Sequence, residues 1–337
     1  MIDPFPLLAN ALAARSHPFE LPREGAVRLF NGFLEGWAQL VVERYAETLV
    51  LLDHARPPEK APIAWQEIVA FYRQALPWLN CALLKSRYAN DEASRRGTSL
   101  FGEKAAREIT ENGVRYALDL TLNQDTSFYL DTRNLRQWAK ENLAGKRVLN
   151  TFAYTGSLGV AAMAAGAGQV VHVDRNRQFL NMAKSSYTRN GFPVRQQDFR
   201  SGDFFSHVNM LKREGALFDC VFLDPPFFAT TGKGRVDLVR EAARLINKVR
   251  PLIADGGQLV TINNALFVSG AEYIQTLQKL CADGYLSIES LIPVPDDCIG
   301  YTQTIQRPLP ADPAPFNHAT KIAVLKVRRK FVEHLSQ

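Results

Sequence analysis

The hydrophobic pattern changes its period several times along the chain, and the changes divide it. Apolar runs come first: Val27-Arg28-Leu29-Phe30, Leu40-Val41-Val42-Glu43-Arg44-Tyr45 and Thr48-Leu49-Val50-Leu51-Leu52. Short runs rich in aliphatic and β-branched residues predict strands, and Asn31-Gly32 between the first two is a turn signal. After a break at Pro57-Pro58, residues Ile68, Val69, Phe71, Tyr72 and Leu76 recur at helical spacing, so 63–76 reads as a helix. Cys81-Ala82-Leu83-Leu84-Lys85 returns to a strand. The stretch 1–24 reads as an extension of one helix and a connector. Residues 25–104 then form a small α+β domain that ends in a basic, loop-like connector.

Val114 to Leu120 alternates with period two, the mark of a strand with one wet face. Asp131 can cap a helix through Leu135 and Trp138 to Leu143, closed by Gly145. From there strands and helices alternate. Strands are expected at 147–152, 169–174, 218–224 and 258–263, and helices at 159–165, 178–190, 236–249 and 271–282. Buried aliphatic strands alternating with helices predict a parallel sheet covered on both faces. Residues 105–337 are therefore expected to form an α/β domain with a Rossmann-like sheet.

Composition narrows the picture only modestly. The 337 residues are 46% hydrophobic, enough for one large core and one small one, with a net charge of +6. A positive excess suits an anionic partner such as nucleic acid. The connector holds Lys85, Arg87, Arg95, Arg96 and Lys104, which form either a solvated charge run or a nucleic-acid surface. Four cysteines, Cys81, Cys220, Cys281 and Cys298, make no CxxC pair and no zinc-type cluster with histidine, so no metal is expected. They read as reduced thiols of a cytoplasmic protein. The start, Met1-Ile2-Asp3-Pro4-Phe5, lacks the basic-then-apolar pattern of a signal peptide, and no apolar run reaches the ~18 residues of a membrane span. Oligomeric state is left open.

The chemistry concentrates at strand ends. The run Val148-Leu149-Asn150-Thr151-Phe152-Ala153-Tyr154-Thr155-Gly156 is a buried strand entering a tight turn at a helix start, where open α/β sheets bind nucleotide-like ligands. Gly156 permits close main-chain approach to a ligand. Asp174 ends the next strand, one helix and one strand later, where a carboxylate can accept from both hydroxyls of a ribose. Asp203 suits an adenine amine, with Asp198 a rival. No GxGxxG is present at 150–159, which argues against a nicotinamide dehydrogenase. Asp224-Pro225-Pro226-Phe227-Phe228 closes another buried strand. Its prolines stiffen the loop and remove donors, so Asp224 and the Pro225 carbonyl can hold the N–H groups of a base edge. Phe227 or Phe228 can stack on the base. Asn263 and Asn264, after the last strand of the series, can line the same pocket or form a plain polar turn. The combination points to methyl transfer from S-adenosylmethionine (SAM) to a flat heterocycle.

These motifs resemble the class I SAM-dependent methyltransferases of the RlmI/RlmK-like 23S rRNA methyltransferase family. Thr126-Ser127-Phe128-Tyr129-Leu130-Asp131-Thr132-Arg133 resembles the family's TGFYLDQR, Asn150 to Gly156 resembles NCFAYTG, and Asp224-Pro225-Pro226-Phe227 matches its DPP motif, where the following residue is often Lys or Thr. The strands from Val27 to Tyr45 look like its small α+β domain. The resemblance implies SAM contacts from Thr126, Ser127, Phe128, Tyr154, Thr155 and Gly156, with Asp174 on the ribose, Asp203 near adenine and Asp224 at the join of cofactor and base. It implies RNA, in particular ribosomal RNA, as partner. Many relatives carry an RNA-binding PUA domain at the N-terminus, and the 1–24 extension is expected to be too short for one. The cytosine-C5 enzymes place Ser-Cys-Ser after the late strand; Ile262-Asn263-Asn264 stands here and is closer to the Ser-Asn-Asn of the guanine-N7 enzymes. A base nitrogen, which has its own lone pair and needs no covalent adduct, is therefore the expected target, with Asp224, Pro225, Phe227 and Asn263 as catalytic-site residues. A small-molecule or protein methyltransferase and a non-catalytic RNA-binding protein are the competing expectations.

Overall fold

A computed structural model describes residues 3–15, 23–56, 63–231, 234–237, 241–308 and 312–329, with the side chains of 228–231 and 234–236 left aside. The expected break at Pro57-Pro58, most of the connector in 16–22 and the Phe228 side chain lie outside the described set. The chain divides into two units, Met1–Arg133 with Pro295–Leu309, and Asn134–Val294 with Pro310–Gln337.

The first unit contains α1 (Phe5–Ala14), β1 (Ala26–Asn31), α2 (Gly32–Glu35), β2 (Leu40–Tyr45), β3 (Thr48–Asp53), α3 (Trp65–Ala75), β4 (Cys81–Ser86), α4 (Glu92–Arg96), β5 (Thr98–Phe101), β6 (Glu108–Glu111) and β7 (Val114–Ala117). Strands β1 to β5 form one sheet in chain order, antiparallel except for the β3–β4 pair. Leu8 and Ala11 of α1 and Ile68, Val69 and Tyr72 of α3 share its core with Leu29, Val42, Leu49 and Leu51. Burying such a set supplies the drive for folding, at ~25 cal/mol per Å² of apolar surface.

Three local expectations change. Asn31-Gly32 does not make a two-residue hairpin. The Asn31 side chain accepts the Phe33 N–H at 3.2 Å and starts the helical turn α2, which Gly36 ends at φ 103°. The basic connector is not plain loop, because it holds α4 and the edge strand β5. Within it Lys85 is fully buried, its ammonium donating to the carbonyls of Arg96, Leu120 and Asn123, so it cannot face a nucleic acid. Finally, β7 stops at Ala117 and pairs with β6 through Asn112 (φ 52°) and Gly113 (φ 77°). Both residues are left-handed, the geometry of the tight turn that an Asn-Gly pair favours.

The second unit contains α5 (Arg133–Asn142, begun by the last residue of the first unit), β8 (Arg147–Thr151), α6 (Ser157–Ala164), β9 (Gln169–Asp174), α7 (Arg177–Arg189), β10 (Phe199–Ser201), α8 (Phe204–Arg213), β11 (Phe218–Leu223), β12 (Phe228–Thr231), β13 (Gly234–Asp237), α9 (Ala242–Val249), β14 (Ile253–Asn263), α10 (Gly270–Cys281), β15 (Leu286–Ile292) and β16 (Lys321–Val327). Seven strands make the sheet, in the order β10-β9-β8-β11-β14-β16-β15. Neighbouring residues of each central strand go to opposite layers. Leu149, Val171, Val221 and Leu259 join residues of α8, α9 and α10, whereas Val148, Val170, Phe222 and Val260 join residues of α5 and α6. This is the period-two division of a sheet buried on both faces.

The Rossmann-like α/β architecture is as the sequence implied, with one change. The sheet is mixed, because β16 runs antiparallel between β14 and β15. The helix expected from Val236 begins only at Ala242, since Gly234–Asp237 pairs with β12. Among the described residues no helix is long and apolar enough to cross a membrane.

Candidate active site

The register of the sheet brings one row of strand ends together. Thr151 pairs with Val173 of β9 and Leu223 of β11, Leu223 pairs with Thr261 of β14, and Asp174 pairs with Ser201 of β10. Residues just past this row therefore leave the sheet at one edge: Phe152 to Gly156, Asp174, Asp203, Asp224 and Asn263. Adjacent strands lie ~4.8 Å apart, so the strands of Asp174 and Asp224, separated by β8, are about 10 Å apart. That is the scale of a nucleoside.

The turn after β8 is held in an unusual shape. Phe152 (φ 53°), Tyr154 (φ 50°) and Gly156 (φ 79°) are all left-handed, a conformation that costs a side-chain-bearing residue about 1–3 kcal/mol. Tertiary contacts hold it there. The Ala153 N–H donates to the Val173 carbonyl at 3.0 Å, and the Tyr154 N–H to Asp174 Oδ2 at 2.7 Å. Phe152 stacks on Phe204 of α8 and Tyr154 meets the edge of Phe179 of α7, each at 4.5 Å between ring centroids. Gly156 begins α6 with no room for a side chain, because a Cβ would lie 2.5 Å from Ala183 Cβ. Thr155 is buried beside it.

Asp174 faces this turn. Its Oδ1 accepts the Asn176 N–H at 2.8 Å while Oδ2 takes that of Tyr154. Each carboxylate oxygen has two acceptor positions, so each keeps one for a diol. Burial pushes the carboxyl above the usual range, and the two N–H donors work against that rise.

Asp203 and Asp198 separate cleanly. Gly202 donates to the Asp174 carbonyl at 2.9 Å, so Asp203 starts at the same edge as Asp174. There it caps α8, accepting the Ser206 N–H at 3.0 Å. Asp198 precedes β10 and takes the amide of Gln169, the first residue of β9, at 2.7 Å. It belongs to the opposite edge of the sheet, about 16 Å away along a strand of this length.

Thr126, Ser127 and Phe128 belong to the first unit. Tyr45 Oη lies 2.7 Å from Thr126 Oγ1 and donates to the Phe128 carbonyl at 3.1 Å. Ser127 (φ 58°) accepts the Asp119 N–H, and Phe128 packs against Tyr116. All three side chains are buried there.

The loop after β11 carries half-buried Asp224, buried Pro225, exposed Pro226 and Phe227, 42% exposed. Asn264 Nδ2 lies 3.5 Å from the Pro225 carbonyl, which ties this loop to the one after β14. Asn263 is buried and its Oδ1 accepts the Ala265 N–H at 3.0 Å. Across the sheet from Asn263, Lys321 donates to the Ala265 carbonyl at 3.0 Å, and burial lowers its ammonium to about 8. Lys321 and Phe179 were not singled out from the sequence, since nothing local marks a residue that acts across elements.

None of the four thiols is an exposed nucleophile at this edge. Cys220 is buried in mid-β11 and Cys298 is buried in the first unit, and burial raises both. Cys281 lies in α10 and is raised by its partial burial.

A family model described as an S-adenosylmethionine-dependent methyltransferase matches residues 73–283, more than half of the chain. The chain belongs to this methyltransferase family. Ribosomal RNA large subunit methyltransferase I of Photobacterium profundum is 35% identical over 189 residues, covering 56% of this chain and 47% of that protein. Ribosomal RNA large subunit methyltransferase K/L of Shewanella amazonensis is 31% identical over 251 residues, covering 72% of this chain and 35% of that one. The chain thus spans half or less of the length of these two relatives. A solved structure described as a methyltransferase complexed with SAH has a TM-score of 0.81 at 21% identity, covering 97% of this chain and 82% of that one, which fixes the fold.

The strand-end edge of this methyltransferase fits the cofactor its family name implies. A carboxylate with an acceptor position left on each oxygen suits a ribose diol. The backbone of 152–156 passes beside it, and the carbonyl of Asp174 ties in the stretch that carries Asp203.

Proposed function

We propose that this methyltransferase moves the methyl group of SAM to a base of RNA in the cytoplasm, that the RNA is of the large ribosomal subunit, and that the accepting atom is a base nitrogen. The carrying observation is one edge that combines Asp174 and the left-handed 152–156 turn with the Asp224–Phe227 loop and the two asparagines. The names of the relatives support ribosomal RNA, and the net charge of +6 suits a polyanion. The surroundings of the four thiols support a nitrogen, because C5 methylation of a pyrimidine calls for a cysteine that attacks the ring.

In this reading Asp174 holds the ribose, Tyr154, Thr155 and Gly156 line the amino-acid side of the cofactor, and Asp203 stands near the adenine. Thr126, Ser127 and Phe128 are assigned to the cofactor on the resemblance alone. Bound SAM supplies an activated methyl group on a sulfonium. The protein's share is alignment. Asp224 and the Pro225 carbonyl accept from the N–H groups of the base, Phe227 stacks on it and Asn263 helps fix its edge. In-line methyl transfer depends on such positioning, and a 1 Å error can cost about a hundredfold.

The test is transfer of labelled methyl from SAM to 23S rRNA isolated from a strain lacking this gene, followed by nucleoside mass spectrometry. A new methylated base that Asp224→Ala reduces by about a hundredfold is expected. A methylated product unchanged in Asp224→Ala would remove the proposed site, and a methyl at cytosine C5 would remove the nitrogen assignment.

A further inference from the structure

Phe267 is 82% exposed and its neighbour Leu266 75%, the two highest values among the large hydrophobic residues described. Leaving a phenylalanine in water forgoes the stabilisation that burying it would give. The Phe267 ring is not isolated, for its centroid lies 6.5 Å from that of Phe227, with the planes at 58°. Two exposed aromatic rings, one on the loop after β11 and one on the loop after β14, thus lie near each other, tilted rather than parallel. Stacked bases are spaced ~3.4 Å apart, so a base between two rings needs them about 7 Å apart. The observed separation is close to that, and a base between them requires the two exposed rings to turn from 58° toward parallel.

The same stretch holds a second, independent feature. Asn263 Nδ2 is buried with no hydrogen-bond partner among the described residues, although its Oδ1 is fixed by the Ala265 N–H. Asn264 Oδ1 is buried and equally without one, while Nδ2 of that residue sits at the outer limit of hydrogen bonding to the Pro225 carbonyl. A buried polar atom left unpaired costs about 1–3 kcal/mol. One donor and one acceptor, on consecutive residues, are left unpaired.

We infer that the Asn263–Phe267 loop is the second wall of the substrate site. Phe267 and Phe227 sandwich a single nucleobase, and the donor and acceptor of Asn263 and Asn264 meet its hydrogen-bonding edge. This rests on the function proposed above and narrows it. A base held on both faces must leave its own stack, so the substrate nucleotide is unpaired or extruded from its helix. Phe267 is then a substrate-binding residue that takes no part in holding the cofactor.

The experiment compares wild type, Phe267→Ala and Phe267→Tyr in steady-state methylation of undermodified 23S rRNA, with SAM affinity measured separately by calorimetry. Stacking on an aromatic side chain is worth about 1–3 kcal/mol per base, so Phe267→Ala is expected to lose about tenfold or more in kcat/KM for RNA. SAM affinity should stay within about twofold of wild type, and the tyrosine variant should keep most of the RNA activity. Wild-type turnover on rRNA with an unaffected Phe267→Ala overturns the second wall and leaves the proposed function standing. Loss in both variants alike overturns stacking as the cause. A wild-type protein that binds SAM and methylates no rRNA overturns the proposed function and this inference with it.

Discussion

Asp174 does two jobs with one carboxyl, because the atoms that hold the Tyr154 and Asn176 amides are those that face the site. Asp174→Asn keeps one acceptor oxygen and brings in an NH₂ that cannot take an amide hydrogen. It is expected to weaken SAM binding by about tenfold or more by calorimetry and to loosen the turn by ~1 kcal/mol in a melt. Behind that turn sits His172, wholly buried and 2.9 Å from the Tyr187 hydroxyl, with burial lowering its pKa to about 3. The folded ring stays neutral while an unfolded one takes a proton below ~6.5. Stability is therefore lost as pH falls from about 6.5 toward 3, at up to ~1.4 kcal/mol per pH unit from this group. Melting temperatures measured across that range should decline less steeply in His172→Phe. At this scale the place of Asp174 was legible, since one helix and one strand after the turn at Gly156 return the chain to the same edge of the sheet. The choice between Asp198 and Asp203 was not. It depends on which end of β10 each occupies, and a three-residue strand has too few positions to show a period.

Helix α6 lies against β9 through missing side chains. A Cβ on Gly159 would come within 2.3 Å of His172 Cε1, so Gly159→Ala must push the helix or the ring aside. A loss of about 1–3 kcal/mol in chemical denaturation is expected, with SAM affinity falling as the 152–156 turn shifts. Strand β16 braces the far side of the site through Lys321, whose ammonium holds the carbonyls of Ala265 and Ala319. Lys321→Met takes this donor from the Ala319 carbonyl and leaves that of Ala265 with only the Val268 N–H at 3.3 Å. It should cost about 1–3 kcal/mol and raise the hydrogen-exchange rate of residues 264–268. Elements that bury aliphatic side chains on both faces, such as β8, β9 and β11, announce themselves in the sequence. Those that mix polar residues into the run did not. Strand β6 reads Glu-Ile-Thr-Glu, β15 carries Ser287, Glu289 and Ser290, and α8 follows β10 with only two residues between them.

For the whole molecule, charge and chain path matter more than any single element. If the surface around α4 meets RNA, reversing Arg95 and Arg96 to Glu should weaken RNA binding and flatten its dependence on salt, measured by filter binding at several ionic strengths. SAM binding should not change. Inside the first unit, Arg133 grips Asp297 with two bonds, 2.6 and 3.1 Å, and Asp297 also takes the Arg28 N–H at 2.9 Å. Asp297→Ala leaves the half-buried Arg133 guanidinium with Glu111, 3.3 Å away, as its remaining carboxylate and takes the acceptor from the Arg28 N–H; it should lower stability by about 1–3 kcal/mol in calorimetry. Composition could not reveal that pair, because its partners are 164 residues apart and each looks like an ordinary surface charge. The small domain was visible from its strands, but its reach to Arg133 and its use of Pro295–Leu309 were not. That shared path has a consequence for biosynthesis. As the polypeptide leaves the ribosome, the first unit must wait for residues near 297 before Arg133, already beside Glu111, finds its second carboxylate. The sheet of the second must wait longer still, for the strand that fits between two already made. The first unit cannot close until the stretch that follows most of the second has been made, and the second cannot close until the strand near its own end, so a truncated product ending near 294 would leave both incomplete.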